Sequence, residues 1–219
     1  MEEIALKNIK LIASLLVSIF LFSFLVTGCS KKVTAKECAQ IFWEMNTTHD
    51  MSNISKINLK EKDGQAAINK DINEAKASLK ETFTEAQMKF TDAQLEDVCN
   101  ALIEAYSKLT VKIEEVSNDG NKAEIKFITT YFDMNALDEK ASNDALDVII
   151  SLGLTDQTEI INRFSELYIK NLITEFKNVS ISTNTTEKTY TFVNNGEFWA
   201  PEDKTNFGTS IGQFITNQI

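Results

Sequence analysis

The chain has 219 residues and a formal net charge of −10, from 32 Asp and Glu against 22 Lys and Arg. A surface this acidic repels phosphodiester backbones, which excludes nucleic acid as a partner. At 43% hydrophobic and 25% charged, with one Pro and seven Gly, the chain is neither disordered nor collagen-like, nor a turn-dense all-β protein.

In chain order, the first feature is a leader. Lys7 and Lys10 precede an uncharged apolar run from Leu11 to Val26. A charged n-region followed by an apolar h-region is the pattern of a secretory signal peptide. The run is shorter than the roughly 20 residues a spanning helix needs. It ends in Val26-Thr27-Gly28-Cys29, which resembles the lipobox of bacterial lipoproteins: an aliphatic residue, two small residues, then Cys. The resemblance implies that the peptidase recognises Val26, Thr27 and Gly28 and cuts before Cys29, whose thiol carries a diacylglyceryl group. Two acyl chains give stable attachment, so the expected location is the outer face of the cell membrane, lipid-anchored. The expected organisation is residues 1–28 as signal peptide, 29–33 as a short tether and 34–219 as a single α+β domain.

The domain opens on a helix over Thr34 to Asn46, with Thr34 and Glu37 at capping-box spacing and Cys38, Ile41, Phe42 and Met45 in phase. Residues His49 to Lys60 read as a loop. A second helix is expected from Gly64 to Phe83, with Ile68, Ile72, Ala75 and Leu79 inward. Thr84 with Gln87 and Thr91 with Gln94 repeat the capping spacing, and the second of these opens a helix to Lys108. The period then changes to two. Val111 and Ile113 alternate with Lys112 and Glu114, Asp119-Gly120 signals a turn, and Ala123 to Phe132 returns as a strand. Helical pattern resumes from Ala136 to Leu152 and is broken by Gly153. Thr155 or Asp156 caps the next helix, whose stripe runs from Ile160 to Phe176. Strand pattern is expected at Val179 and Ile181, a turn over Thr183 to Glu187, and strands at Tyr190-Phe192 and Phe198-Trp199. The tail from Ile211 is apolar enough to dock as a short helix. Val111-Lys112-Ile113 echoes Val179-Ser180-Ile181, which either a duplicated helix-plus-hairpin unit or chance explains.

The predicted fold is helices packed on one face of a curved antiparallel sheet of four or five strands. Phe127, Tyr131, Tyr190, Phe192 and Trp199 either pack beneath those helices, the favoured reading, or line a pocket between sheet and helix. Cys38 and Cys99 either pair, closing a loop of about 60 residues worth roughly 4 kcal/mol, or stay as buried free thiols on apolar faces.

Recognisable chemistry is sparse. The sequence has no Gly-x-Gly-x-x-Gly, P-loop, His-Glu-x-x-His or Gly-x-Ser-x-Gly, and its single His is His49. No catalytic, cofactor-binding or metal-ligating residue is assigned. Glu114-Glu115 and Glu202-Asp203 are conspicuous carboxylate pairs, but adjacent strand residues face opposite ways, so Glu114 and Glu115 cannot act together. Asp71-Ile-Asn73-Glu74 lacks the Gly and the terminal Glu of a calcium loop.

From Thr34 onward the chain resembles a family of uncharacterised Gram-positive surface lipoproteins known as a domain of unknown function. The resemblance rests on Ile41-Phe42-Trp43, on Met51 to Lys56, on Val111 to Ile125 around Asn118-Asp119-Gly120, and on Gly196-Glu197-Phe198-Trp199. The last two elements are also similar to lipoproteins with a cystatin-like or nuclear-transport-factor-2-like fold. That likeness implies a helix packed across a curved sheet, and enzymes on that fold usually carry His, Asp and Tyr sites, of which this chain does not supply the His. The expected function is a non-enzymatic binding or interaction module, held at the membrane by the lipid on Cys29 and meeting a protein, a cell-wall component or a small apolar ligand. The alternatives are a carboxylate-dependent hydrolase of cell-surface material and an immunity or assembly factor for a membrane partner.

Overall fold

The protein is described by a computed structural model covering residues 33–217. The leader, the Val26-Thr27-Gly28 recognition residues and Cys29 lie outside the described residues.

Helix α1, Ala35–Thr47, starts where the sequence places it. Thr34 Oγ1 accepts from the Glu37 N–H at 3.2 Å, and the Thr34 N–H donates to Glu37 Oε2 at 2.9 Å. Each side chain thereby satisfies a backbone donor that the helix end leaves free. Nine of the 13 residues of α1 are buried, because it touches every strand of the sheet on one side and a neighbouring helix on the other. A helix buried all round sits between layers, and α1 is the central rod of this fold.

A 3-10 turn over Ile54–Ile57 leads into α2, Glu61–Glu85. This helix begins earlier than its apolar stripe suggests. Gly64 lies in its first turns because a Cβ there would meet Ile54 Cδ1 at 2.9 Å and Met51 Sδ at 3.1 Å. The second capping-box expectation fails. Helix α2 runs through Thr84, whose hydroxyl donates back to the Lys80 carbonyl at 2.6 Å, and Gln87 has φ +58. That segment therefore ends a helix, and the left-handed residue turns the chain into α3, Asp92–Ser107. Here the Thr91–Gln94 box is formed as expected.

Strands β1 (Val111–Asn118) and β2 (Lys122–Thr130) form the expected hairpin. Asp119 Oδ1 accepts from the Asn121 and Lys122 N–H groups, and Gly120 supplies φ +91. Val116 is the extra residue of a bulge between Glu115 and Ser117. Helices α4 (Met134–Leu152) and α5 (Gln157–Lys177) pack as an antiparallel pair, separated by Gly153 at φ +61 and the Asp156 cap.

The return to the sheet differs from expectation. Val179 and Ile181 are not in a strand; β3 runs from Thr185 to Asn194 and takes in part of the expected turn. Thr185, Thr186 and Glu187 pair with Thr130, Thr129 and Ile128. The polarity of this run suggests a turn, but β-branched Thr suits a pleated surface and the long β2 offers it a ladder. The echo between Val111–Ile113 and Val179–Ile181 therefore does not match strand with strand. A short β4 (Trp199–Pro201) completes a four-stranded antiparallel sheet, order β1-β2-β3-β4, and α6 (Lys204–Ile215) packs back on β3 and β4.

One face of the sheet carries Ile113, Ala123, Ile125, Phe127 and Phe192, all buried. The opposite face carries Lys112, Glu114, Lys126 and Glu187, joined by ion pairs Lys112–Glu114 at 2.6 Å and Lys126–Glu187 at 3.5 Å. Alternation of this kind marks a sheet with one packed and one solvated face. The fold is thus α+β with helices on one face, as the sequence predicts.

Candidate binding crevice

Of the aromatic residues that the sequence places on the hairpins, Phe127, Phe192, Trp199 and Tyr190 pack into the core beneath the helices, whereas Tyr131 lies beyond the end of β2 and is half-buried. Phe127 and Phe192 are fully buried. Phe207 of α6 meets Tyr190 at 5.0 Å, Phe192 at 5.7 Å and Phe127 at 6.1 Å between ring centroids, and Phe42 of α1 meets Phe192 at 6.1 Å. Edge-to-face contacts of this kind stabilise beyond the area they bury.

At the margin of this cluster α1, β4 and α6 leave a crevice. Its walls are Phe42, Phe198, Pro201 and Phe207, with Asn46 and the exposed Lys204 also on it. Its free space, about 10 Å³, is that of one water molecule. Asn46 is 3% exposed. Its Nδ2 donates to the Phe42 carbonyl at 2.6 Å, while its Oδ1 has no hydrogen-bond partner among the described residues. A flipped amide would set Oδ1 against the Phe42 carbonyl, acceptor against acceptor, so the free atom is the oxygen. The crevice therefore has aromatic walls with a lysine on its lining, and the Asn46 oxygen is sealed from solvent. The sequence marks Asn46 only as the polar end of a helix and the first residue of an Asn-Thr-Thr triplet.

A second hollow, an open groove of about 590 Å³, lies between the end of α2 and the start of α5 and is lined by Met88, Phe90 and Ile161 among polar residues. The backbone of Lys89, also on the lining, is held by its N–H donating to Ser165 Oγ at 2.9 Å. Ile150 and Leu152, 72% and 52% exposed, stand at the far end of α4. Neither the crevice nor the groove has a carboxylate in its wall.

The buried titratable groups gather elsewhere. Asp71 on α2 is 0% exposed and neither of its oxygens has a hydrogen-bond partner among the described residues. Burial, with Glu74 adding to it, raises its carboxyl to about 7. Asp138 on α4 accepts from the Tyr168 hydroxyl of α5, and burial raises it to about 6 against that bond. Burial also lowers His49, at φ +55, to about 4, so the imidazole is neutral at pH 7. Glu74 turns outward to pair with Lys70 at 3.5 Å, so Asp71 and Glu74 do not converge. Among the described residues no three His, Cys, Asp or Glu side chains gather to hold a metal ion.

Three of the four conspicuous acidic residues have structural partners. Glu114 is ion-paired to Lys112 on the solvated face, Glu202 bonds Lys122 across the hairpin, and Asp203 caps α6 by accepting from the Asn206 N–H at 3.1 Å. The structure holds Cys38 and Cys99 as free, buried thiols, and not as the disulfide that the sequence left open. Cys38 Sγ accepts from the Trp199 N–H at 3.4 Å, tying α1 to β4. Burial pushes both thiols up to about 11, which makes them poor nucleophiles.

No protein-family model matches the chain, and no curated protein matches it. Its fold is similar to the crystal structure of a putative lipoprotein, ycdA, from Bacillus subtilis, with a TM-score of 0.61 at 13% sequence identity. The likeness covers 83% of this chain but 55% of the other, so this chain spans about half the length of that neighbour. At this identity the likeness is one of fold. Among the described residues no helix is long and apolar enough to cross a membrane.

Proposed function

We propose that this protein is a lipoprotein anchored to the outer face of the cell membrane through Cys29, and that its domain is a non-enzymatic binding module. The observation that carries the reading is Val26-Thr27-Gly28-Cys29 directly after the uncharged Leu11–Val26 run, five residues before the helix cap at Thr34. Five residues span at most about 18 Å, so the anchor holds the domain close to the headgroups. The fold shared with a putative lipoprotein of Bacillus subtilis supports the reading. Helix α1 lying across a curved antiparallel sheet supports kinship of this half with cystatin-like lipoproteins. The binding role is supported by the crevice, whose walls are mostly apolar. Pockets commonly pair apolar walls with a few placed polar groups.

Cells producing the wild-type protein in labelled palmitate should yield a labelled, membrane-bound band. Cys29→Ser should carry no label and should be released or retained unprocessed. Equal labelling of the two would refute the anchor.

A further inference from the structure

We infer that the outer edge of β1 pairs antiparallel with the same edge of a second copy of this chain, with Lys112 of each copy opposite Glu114 of the other. The inference goes beyond the binding-module reading and does not need it. The two edges of the sheet differ. Strand β4 is three residues long, entirely buried and closed by Pro201, and its Trp199 N–H is taken by Cys38. Strand β1 is eight residues long, has no Pro, and lies at the other end of the order β1-β2-β3-β4. The Thr130 N–H donates to the Thr110 carbonyl at 3.1 Å. With the register of β1 on β2, that bond turns the backbone groups of Lys112 and Glu114 toward β2 and those of Val111, Ile113 and Glu115 outward. Among the described residues none of these outward groups has a hydrogen-bond partner. Proteins ordinarily blunt such an edge with a very short strand, a cover, a Pro, a bulge or unmatched charge. Here the bulge falls after Glu115, so the ladder from 111 to 115 stays regular.

The charges select both the occupant and the register. Outward groups meet outward groups, so only odd-numbered residues can face odd-numbered ones across the new ladder. Lys112 opposite Lys112, or Glu114 opposite Glu114, sets like charges across the strands and is destabilising. Centring the pair on Ile113 avoids both. Each Lys112 then faces the other copy's Glu114, Val111 faces Glu115, and about six backbone hydrogen bonds form. Lys112 and Glu114 fall on the non-hydrogen-bonded positions of that ladder, where side chains approach most closely. Both stand on the solvated face, their side chains 72% and 38% exposed. A different protein would have to supply this charge pattern, whereas a second copy carries it already. The anchor reading adds an independent reason. Lys112 chiefly, with Lys126 and then Lys36, holds the Glu114 carboxyl below its ordinary value. Lys36 belongs to the first turn of α1, so the chain leading from Cys29 enters the domain beside this edge. Two copies of net charge −10 repel at long range, and confinement to one membrane raises the effective concentration of their edges against that repulsion.

The test reconstitutes the full chain, labelled at its C terminus with a donor or an acceptor dye, into phosphatidylcholine vesicles. Energy transfer should exceed that of a non-interacting lipid-anchored control and rise with surface density. Lys112→Glu alone sets Glu opposite Glu, and Glu114→Lys alone sets Lys opposite Lys. Each should weaken association about tenfold. Mixing the two variants sets opposite charges across the pair again and should restore the wild-type transfer, which also shows that both variants fold. No excess transfer in the wild type, single variants that associate as well as the wild type, or a mixture as weak as its components overturns the inference. Vesicle flotation reports the anchor separately. A chain that does not float is read by sedimentation equilibrium with the same variants, so loss of the anchor and loss of the pairing are distinct results.

Discussion

The two sides of α1 are built on different chemistry. On the sheet side Phe42, Phe127, Phe192 and Phe207 pack edge to face, and the exception is the Asn46 acceptor at the crevice. The layer formed by α2 to α5 encloses Asp71 and Asp138 among apolar residues. An aromatic core holds its energy at any pH, whereas a buried carboxylate makes stability depend on its proton. The difference places rigidity at the candidate site and pH sensitivity in the helical layer.

The sign follows from the raised values. Asp71 and Asp138 have ordinary values of 3.8 and are raised to about 7 and about 6 in the fold. Between these limits the folded chain holds more protons than the unfolded one, so the stabilisation is full below about pH 4 and is lost as pH rises through 6 to 7. His49 acts oppositely: lowered from 6.5 to about 4, it contributes stability above pH 6.5 that is lost as pH falls toward 4.

Four changes would break or sharpen this contrast. The largest effect is expected for Phe127→Ala, which removes a fully buried ring in contact with four others. The Phe127→Ala change should cost about 3–5 kcal/mol in urea unfolding, equally at pH 5 and pH 8. Asp71→Asn should stabilise the protein by about 1–3 kcal/mol at pH 8 and change little at pH 5, flattening the pH profile. An unchanged profile would place the pH sensitivity elsewhere. Thr34→Ala, which removes the α1 cap, should lower stability by about 1 kcal/mol at both pH values. Ile150→Glu, on an exposed position, should shift stability by no more than about 0.5 kcal/mol; a larger loss would mean that the far end of α4 is covered in solution.

Much of the frame was legible because its signals are local. Thr34–Glu37, Thr91–Gln94, Asp119-Gly120 and Gly153 each set a boundary through bonds within a few residues, and each appears where expected. Features that depend on distant pairing were not legible. The start of β3 is fixed by β2, more than 50 positions earlier. Asp71 stands one position from Ile72 on the face of α2, and the buried stripe turns just enough to take the carboxylate inward. The crevice likewise depends on distant parts of the chain, since α1, β4 and α6 all line it.

The measurement that tests the central claim most directly is the mass of the N-terminal peptide of the protein extracted from membranes of a Gram-positive producer. The account predicts a chain beginning at Cys29 with a diacylglyceryl group on its sulfur. A chain that keeps residues 1–28, or one that begins at an unmodified Cys29, would contradict it.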